Sequence, residues 1–369
     1  MSICVWGYLK EYEQEKEEIF GAIEEVLTSG QLILGQQVRD FEAAFAEYCN
    51  LAYGVGVDNG TDAVMLALRA IGVQPGDEVI TVANTALPTV AAIAAAGGVP
   101  QFVDIDPDTY LMDTSQLESA ITEKTRCILP VHLFGQCVDM DEVRAVAEAH
   151  DLLVMEDCAQ AHGATYHGVK AGSMSDASAF SFYPTKVLGG YGDGGIVLTD
   201  SEEIKEKLRR LRFYGGGDSL YAEEHGINSR LDELHAAILL RKLQRIDDYI
   251  ARRQAIAARY AERLTDTDLI LPQTAPGNEH VYYIYVVRHP QRDTIIERLK
   301  EEYDIIVNIS YRWPIHTMRG YAYLGYEEGD LPHTEAVMKE VFSLPMYPSL
   351  TDEEQETVCD ALHEILASL

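Results

Sequence analysis

Short apolar runs alternate with longer amphipathic segments along most of the chain. Between residues 36 and 250 this alternation is typical of an α/β fold, in which helices pack on a largely parallel sheet. The apolar runs predict strands at residues 79–82, 101–104, 126–131, 153–155 and 195–198. The longer segments predict helices at residues 11–28, 63–70, 202–212 and 231–262.

The pattern continues beyond residue 251 with a second, smaller group of elements. It predicts a strand at 281–288, a helix at 294–302, a strand at 305–309 and helices at 335–342 and 352–368. Because 369 residues exceed the usual size of one hydrophobic core, we expect two domains. The predicted large domain covers residues 1–250 and the predicted small α/β domain covers residues 251–369.

The segment Ser-Phe-Tyr-Pro-Thr-Lys at 181–186 places Lys186 between an aromatic run and the glycine-rich turn at 189–195. A lysine amine is protonated at neutral pH, but in an enclosed site it can lose its proton and form a Schiff base with an aldehyde. Glycines beside it let the backbone approach closely. A surface lysine before a glycine turn is the alternative that this segment alone leaves open.

A carboxylate follows another apolar run. Residues 152–155 are typical of a buried parallel strand, and Asp157 lies at its end. Open α/β sheets bind ligands at the carboxyl ends of their strands, and a buried carboxylate there needs a cationic partner such as a protonated pyridine nitrogen. A helix N-cap or a structural ion pair would also explain Asp157.

An anion site is predicted where the short strand 53–57 leads through the turn 58–62 into the helix at 63–70. Free backbone amides and the positive end of the helix dipole favour a phosphate there, and Thr61 adds a hydroxyl donor. Asn59 and Thr61 are also good residues for an ordinary helix cap. Together, a phosphate site, a carboxylate at a strand end and an amine between glycines describe a site for pyridoxal 5'-phosphate (PLP).

The chain resembles the sugar-nucleotide aminotransferases of the DegT/DnrJ/EryC/StrS group, within the fold type I PLP-dependent enzymes. The resemblance covers nearly the whole chain, and its motifs occur in the order of the family. They are Ser-Gly-Gln at 29–31 with Gly35, Gly-Thr at 60–61, Pro-Gly-Asp-Glu-Val at 75–79, Phe-Val-Asp-Ile at 102–105, Pro-Val-His-Leu-Phe-Gly-Gln at 130–136, Glu-Asp to His-Gly at 156–163, Ser-Phe-Tyr-Pro-Thr-Lys at 181–186, Asn-Ser-Arg-Leu-Asp-Glu at 228–233, His-Val-Tyr at 280–282 and Leu-Pro-Met-Tyr-Pro at 344–348.

The resemblance implies a fold with a mixed, mostly parallel sheet between helices, and it implies roles for individual residues. Lys186 would be the catalytic Schiff-base lysine and then the general base. Asp157 would keep the pyridine nitrogen protonated, and Gln160 would contact the phenolic oxygen of the cofactor. Contacts to the phosphate are implied for Gly60, Thr61, Ser181 and, from the neighbouring subunit of a homodimer, Asn228.

Several positions depart from the family pattern. Ala86 stands where an aromatic residue usually stacks on the cofactor ring, Tyr283 where a histidine often stands, and His235 where a glutamine often follows the Asp-Glu-Leu motif. The loop 308–316 is also unusual. It adds Arg312 and Trp313 as candidates for contacts to a diphosphate and a ring, although both could simply pack within the loop. Tyr183, Tyr311, Arg312, Trp313 and His316 are the predicted substrate contacts.

The predicted reaction is transfer of an amino group from glutamate to a ketone, at carbon 3 or carbon 4, of a nucleotide-linked 6-deoxyhexose, with dTDP as the expected nucleotide. The resemblance supplies this substrate class. Within the same family, a cyclitol ketone of the deoxyinosose type is an alternative acceptor. A non-catalytic regulator that keeps the PLP fold is a more remote alternative, because the chain has neither a basic patch nor a spare segment for binding DNA.

Composition restricts the partners. The net charge of −31 argues against a nucleic-acid partner, and it requires a locally basic pocket if the substrate is an anionic nucleotide sugar. No apolar stretch is long enough to span a membrane. The six cysteines are scattered without metal-ligand spacing, so we expect no metal site and a reduced, cytoplasmic protein. The start of the chain does not have the pattern of a signal peptide.

Overall fold

The computed structural model describes residues 2–217 and 221–369. Its strands are β1 (Ile3–Cys4), β2 (Tyr53–Val57), β3 (Glu78–Val82), β4 (Val99–Val103), β5 (Thr125–Ile128), β6 (Leu153–Asp157), β7 (Thr165–Tyr166), β8 (Val169–Lys170), β9 (Ala177–Ser181), β10 (Gly195–Thr199), β11 (Asn278–Glu279), β12 (Tyr285–Arg288), β13 (Ile305–Ile306) and β14 (Val341–Leu344).

Helices alternate with these strands. They are α1 (Tyr8–Ser29), α2 (Gln36–Tyr48), α3 (Gly60–Ile71), α4 (Leu87–Ala95), α5 (Leu117–Ala120), α6 (Met140–His150), α7 (Glu202–Leu211), α8 (Glu233–Leu243), α9 (Ile246–Leu264), α10 (Arg292–Tyr303), α11 (Pro332–Glu340) and α12 (Asp352–Leu366). Short 3₁₀ helices cover Thr114–Gln116, Leu133–Gly135, Ile315–Thr317 and Arg319–Leu324. No helix in the described ranges is long and apolar enough to cross a membrane.

A seven-stranded mixed sheet carries the centre of the molecule, in the order β2-β10-β9-β6-β5-β3-β4. The neighbours from β9 to β4 are parallel, whereas β10 runs antiparallel to both β9 and β2. The carboxyl ends of β2, β6 and β9 therefore meet at one edge of the sheet, which is where α/β sheets bind ligands. The α/β class and the mixed, mostly parallel sheet are confirmed.

The register of β10 brings two distant segments to the same point. Gly195, its first residue, lies opposite Ser181 of β9 on one side and opposite Val57 of β2 on the other. A side chain at Gly195 would lie 2.4 Å from the carbonyl oxygen of Asn59. Only glycine fits this close approach, and it places the turn before α3 directly beside the end of β9.

The buried apolar side chains form two large groups, and the group around the sheet also contains Val281, Val286, Val337 and Val341. One surrounds the seven-stranded sheet. The other contains residues between Ile256 and Ile365 together with Ile3, because β1 pairs in parallel with β13. The division into domains at residue 250 remains a prediction, since the N-terminal strand packs with the C-terminal group and α9 runs across the proposed boundary.

The structure corrects three predicted elements. The single helix expected at 231–262 is divided into α8 and α9, because Arg245 leaves the helical conformation and its guanidinium contacts Glu18 of α1 at 2.8 Å. Val341 and Phe342 belong to β14, not to a helix, since they pair with β12. The strand expected from residue 281 begins at Tyr285, because Tyr282 has a left-handed backbone with φ of 49°.

Glu233 connects two elements that lie far apart in sequence. Its carboxylate, almost fully buried, accepts hydrogen bonds from the backbone amides of Gln37 (3.0 Å) and Val38 (2.9 Å). These amides belong to the first turn of α2, where no carbonyl of the helix can accept them. Glu233 therefore caps α2 from α8 and favours its helix dipole. The motif at 228–233 thus ends in a residue that fixes local structure.

We expect Glu233→Ala to destabilise the protein by about 1–3 kcal/mol, because it leaves buried amides of α2 without an acceptor. Urea denaturation followed by circular dichroism measures the change. Asp232→Asn is the matched control, since Asp232 is exposed and makes no side-chain cap to α8. Equal midpoints for Glu233→Ala and the control would contradict the capping role.

Candidate active site

A cavity of about 300 Å³ opens at the edge where β2, β6 and β9 end. It is lined by residues from the sheet edge, from the start of α3 and from the segment around α4. Seven of the residues predicted from the sequence line this cavity: Gly60, Thr61, Asp157, Gln160, Ser181, Tyr183 and Lys186. Segments separated by more than 100 residues thus form one site.

The start of α3 forms one wall of the cavity. Asn59 is the N-cap, and its side-chain oxygen accepts a hydrogen bond from the amide of Asp62 at 2.8 Å. A Cβ atom on Gly60 would lie 2.6 Å from the Cβ of Ser181. The helix terminus and the end of β9 can approach this closely only because Gly60 has no side chain. Capping by Asn59 does not prevent anion binding, because the positive end of the α3 helix dipole still faces the cavity.

Asp157 lies at the end of β6 with 5% of its surface exposed. One carboxylate oxygen accepts from the Thr89 hydroxyl (2.7 Å) and the other from the amide of Ala159 (3.1 Å). The Thr89 hydroxyl is itself 3.0 Å from that of Thr85. Asp157 caps no helix and forms no ion pair within the described residues. This buried carboxylate can therefore bind a cationic group that enters the cavity.

Gln160 lies beside Asp157 and is held from two sides. Its side-chain oxygen accepts a hydrogen bond from the amide of Phe134 (2.9 Å), and its amide nitrogen donates to the Tyr311 hydroxyl (2.5 Å). Phe134 has a left-handed backbone (φ 61°), and its ring stacks on Tyr311. Burial raises the pKa of Tyr311, which keeps its hydroxyl neutral. Gln160 and Tyr311 thus form a rigid polar wall of the site.

Lys186 lines the same cavity, so it is not a surface lysine. Its backbone amide donates to the carbonyl of Tyr183 in a tight turn, and its Nζ lies 4.5 Å from the centre of the Tyr283 ring. A Cβ on Gly189 would lie 2.3 Å from the carbonyl oxygen of Pro184. The glycine at 189 is therefore required for the turn that presents the lysine.

The model of the DegT/DnrJ/EryC1/StrS aminotransferase family matches residues 13–363. The chain is similar to a dTDP-3-amino-3,4,6-trideoxy-alpha-D-glucose transaminase of Micromonospora megalomicea subsp. nigra, with 54% identity over all of both chains. It is also similar to a protein named pleiotropic regulatory protein in Geobacillus stearothermophilus, with 44% identity over 99% of this chain and 98% of the relative. The crystal structure of DesV from S. venezuelae superposes with a TM-score of 0.96 at 41% identity, over 98% of both chains.

The chain belongs to the DegT/DnrJ/EryC1/StrS aminotransferase family. This confirms the predicted family, the fold type I architecture and the transaminase class. The family is PLP-dependent. The residues of the cavity fit this cofactor, because an amine, a buried carboxylate without an ion-pair partner and a helix N-terminus opened by Gly60 all face one space.

Ala86 also lines the cavity, at the N-cap of α4. Its neighbours in the wall are small or aliphatic, namely Pro88, Val131 and Ala159. An aliphatic surface thus stands where the family usually has an aromatic ring. Thr89 lies one helical turn further along α4 and was not predicted as a site residue. A helix that begins at Ala86 places a residue three positions later on the same face, and this spacing could have indicated Thr89.

Five predicted residues are not part of the lining of this cavity: Asn228, Tyr311, Arg312, Trp313 and His316. Asn228 forms a backbone bridge with Phe213 at another part of the surface. Arg312 and the 65%-exposed Trp313 line a separate groove with Lys339. His316 is 1% exposed, and its Nε2 lies 3.1 Å from Glu335 in a buried pair. Tyr311 is the predicted residue of the loop 308–316 that contacts the cavity wall, through its hydrogen bond with Gln160.

In the described part of the chain, one group of side chains has ligand atoms close enough for a metal site: His132, Glu156 and Cys158. The amide of Val138 donates to His132 Nδ1, so Nε2 carries the proton and donates to Glu156 at 2.9 Å. Glu156 also accepts bonds from Gly172, Met174 and Ser175. Because these bonds occupy the histidine and the carboxylate, the group holds structure behind the cavity.

His162 lies behind Ser181 in a cage formed by the rings of Phe45, Phe180 and Phe182. Neither ring nitrogen has a hydrogen-bond partner in the described residues. Burial, assisted by the positive charge of Lys186, lowers the pKa of His162 to about 3. The ring is therefore neutral in the folded protein at every pH at which the enzyme is expected to work.

We expect His162 to make the protein sensitive to acid. Its folded pKa lies below the ordinary value of 6.5, so the unfolded chain binds a proton that the folded chain excludes. Stability is then fully present above pH 6.5 and is lost as the pH falls toward 3. When the pH falls from 7.5 to 5.0, the free energy of unfolding should decrease in both proteins. The decrease should be about 2 kcal/mol smaller in His162→Phe than in the wild type.

Denaturation by guanidinium at the two pH values measures this difference. His150→Gln is the control, because His150 is partly exposed and far from the phenylalanine cage. An equal loss of stability in His162→Phe and in the wild type would exclude His162 as the source of acid sensitivity.

Proposed function

We propose that this aminotransferase transfers an amino group from glutamate to the keto group at carbon 3 of a dTDP-linked 6-deoxyhexose. The observation that carries the proposal is the single cavity in which Lys186, Asp157 and the start of α3 meet. The transaminase of M. megalomicea, similar over its whole length, is named for a dTDP-linked 3-amino sugar. That similarity favours carbon 3 over carbon 4 and favours a nucleotide sugar over a cyclitol.

In this proposal the cavity residues hold PLP by complementary charge. Gly60, Thr61 and Ser181 would bind its phosphate at the positive end of α3. Asp157, whose carboxylate accepts a hydrogen bond from Thr89, would keep the pyridine nitrogen protonated. Gln160 would contact the phenolic oxygen. When bound, PLP supplies an electron sink for the carbon from which a proton is removed.

Lys186 performs the proton transfer. With the cofactor bound, its Nζ would hold that group in the resting enzyme. Once released, the same amine would act as the general base that takes the proton from the substrate carbon, and it would return a proton in the ketone half-reaction.

The groove lined by Arg312 and Trp313 is the proposed site for the nucleotide part of the substrate. Arg312 and Trp313 follow Tyr311 directly in the chain, and their side chains face this groove of about 570 Å³. A guanidinium and an exposed aromatic ring suit a diphosphate and a base. The groove is lined by three cations and three carboxylates, and Arg292 and Lys339 are paired with Asp293 and Glu328. Arg312 is therefore the cation proposed to meet the diphosphate. Tyr183 lies exposed at the cavity and is a further proposed contact, whereas His316 supports the loop from beneath.

A homodimer with shared sites is part of the proposal. Asn228 lies outside the cavity of its own chain, and large apolar side chains are exposed near its motif, among them Leu32, Ile33 and Tyr214. A second copy covering this surface would bring Asn228 to the phosphate of the partner's cofactor. A cytoplasmic location is also proposed. The labelling experiment described next also tests the alternative that the protein is a non-catalytic regulator.

The catalytic role of Lys186 can be tested by trapping the cofactor on this residue. The wild type, incubated with PLP and reduced with borohydride, should carry one covalent cofactor on Lys186, detected by peptide mass analysis. Lys186→Ala should carry none and should lose on the order of 10³-fold of its turnover, because no other amine in the cavity replaces the base. Lys124→Ala, an exposed lysine, is the control and should behave like the wild type. A wild type that binds no PLP would reject the catalytic function.

The second prediction concerns the acceptor. Among 3-keto and 4-keto nucleotide sugars and cyclitol ketones offered with glutamate, the dTDP-linked 3-keto sugar should be aminated fastest, as read by product mass. Arg312→Ala should raise KM for that sugar about tenfold by removing one charge-assisted contact, and it should leave the glutamate half-reaction unchanged.

Arg319→Ala is the control for this measurement, since Arg319 is exposed further along the same segment. Amination of a cyclitol ketone in preference to every nucleotide sugar would replace the proposed substrate class by the cyclitol alternative.

A further inference from the structure

The amine of Lys186 rests on an aromatic face. Its Nζ lies 4.5 Å from the centre of the Tyr283 ring, within the range at which a ring attracts a cation. No carboxylate forms an ion pair with this amine in the ranges that the structure describes. The ring is therefore the group that attracts the free ammonium form of the lysine.

Tyr283 is fixed at its hydroxyl and at its backbone. The hydroxyl lies 3.0 Å from that of Thr185, the residue before the lysine. The backbone amide donates to the carbonyl of Phe134 at 3.0 Å, and the carbonyl accepts from Arg253 at 3.0 Å. The ring face is thus held at a set position relative to the turn that carries Lys186.

Arg253 supplies the support from behind. Its guanidinium is 3% exposed and donates from one nitrogen to the carbonyls of Tyr282, Tyr283 and Met346. Tyr282 has a left-handed backbone, which is strained for a residue with a side chain. Arg253, a buried cation that binds three carbonyls, stabilises this conformation. The backbone at Tyr282 in turn places the ring of Tyr283 beside Lys186.

We propose that Tyr283 is a positioning residue for Lys186. It holds the released side chain against its ring face, most strongly while the amine carries the proton taken from the substrate. The inference rests on the role proposed above for Lys186. A lysine side chain has many rotamers, and ordering it costs conformational entropy at each turnover. The ring lowers this cost because it keeps the released amine beside the reacting atoms.

A series of fluorinated phenylalanines at position 283 tests the proposal without changing the shape of the residue. Phenylalanine, 4-fluoro-, 3,5-difluoro- and 3,4,5-trifluorophenylalanine weaken the negative face of the ring step by step. We expect the rate constant of the ketone half-reaction, measured in single turnovers, to fall steadily along the series. From Tyr283→Phe to the trifluoro variant the total loss should be about tenfold.

Other measurements separate this electrostatic effect from a structural one. KM should remain constant along the series. In Thr185→Val the single-turnover rate constant should fall less than threefold, which is roughly the energy of one weak hydrogen bond. The matched control is the same fluorinated series at Tyr285, a buried residue of the other core group two positions along, which should leave the rate unchanged. Rates that do not respond to fluorination at 283 would overturn the proposal.

Borohydride labelling of Lys186 in each variant distinguishes the two levels of failure. Labelled variants with invariant rates would contradict the role of Tyr283 alone. A wild type without label would instead contradict the function proposed for Lys186. Arg253→Met, which removes the support of the Tyr283 carbonyl, should reduce the single-turnover rate without reducing the label, and an unchanged rate there would exclude Arg253 from this arrangement.

Discussion

A buried carboxylate without an ion-pair partner is the constraint around which this site is built. Asp157 is held by Thr89 and by the amide of Ala159, but no cation of the described residues pairs with it. A charge in that position is costly unless a cation reaches it. The energetics of the cavity therefore favour a bound group with a protonated nitrogen, and the rest of the site is arranged around that requirement.

Sheet topology brings the other groups to this carboxylate. Because β2, β6 and β9 end at one edge, the turn before α3, Asp157 and the segment that carries Lys186 become neighbours. Glycines allow the distances, since Gly60 faces Ser181 and Gly195 faces Asn59 where no side chain would fit. Behind this layer, buried polar groups such as Glu156 and Arg253 bind backbone atoms and make the arrangement rigid.

The sequence was sufficient to predict residues whose signal is local. Lys186, Asp157, Gly60 and Thr61 each follow a strand or precede a helix in a motif of a few residues, and the structure brings all four together. Tyr283 and Arg253 could not be placed in this way, because Tyr283 contacts Lys186, and Arg253 contacts Tyr283, between segments that are distant in sequence. The loop 308–316 shows the same limit, since its position depends on packing against α11 and β14.

The departures from the family pattern lie both in the cofactor cavity and in the groove proposed for the substrate. Ala86 leaves an aliphatic wall, and Arg312 and Trp313 face a groove outside the cofactor cavity. The role of Asp157 can be tested by comparing the affinity for PLP with that for the 1-deaza analogue, which lacks the ring nitrogen. The wild type should prefer PLP by about tenfold or more, and Asp157→Ala should lose this preference. Equal affinities of the wild type for both compounds would contradict the account.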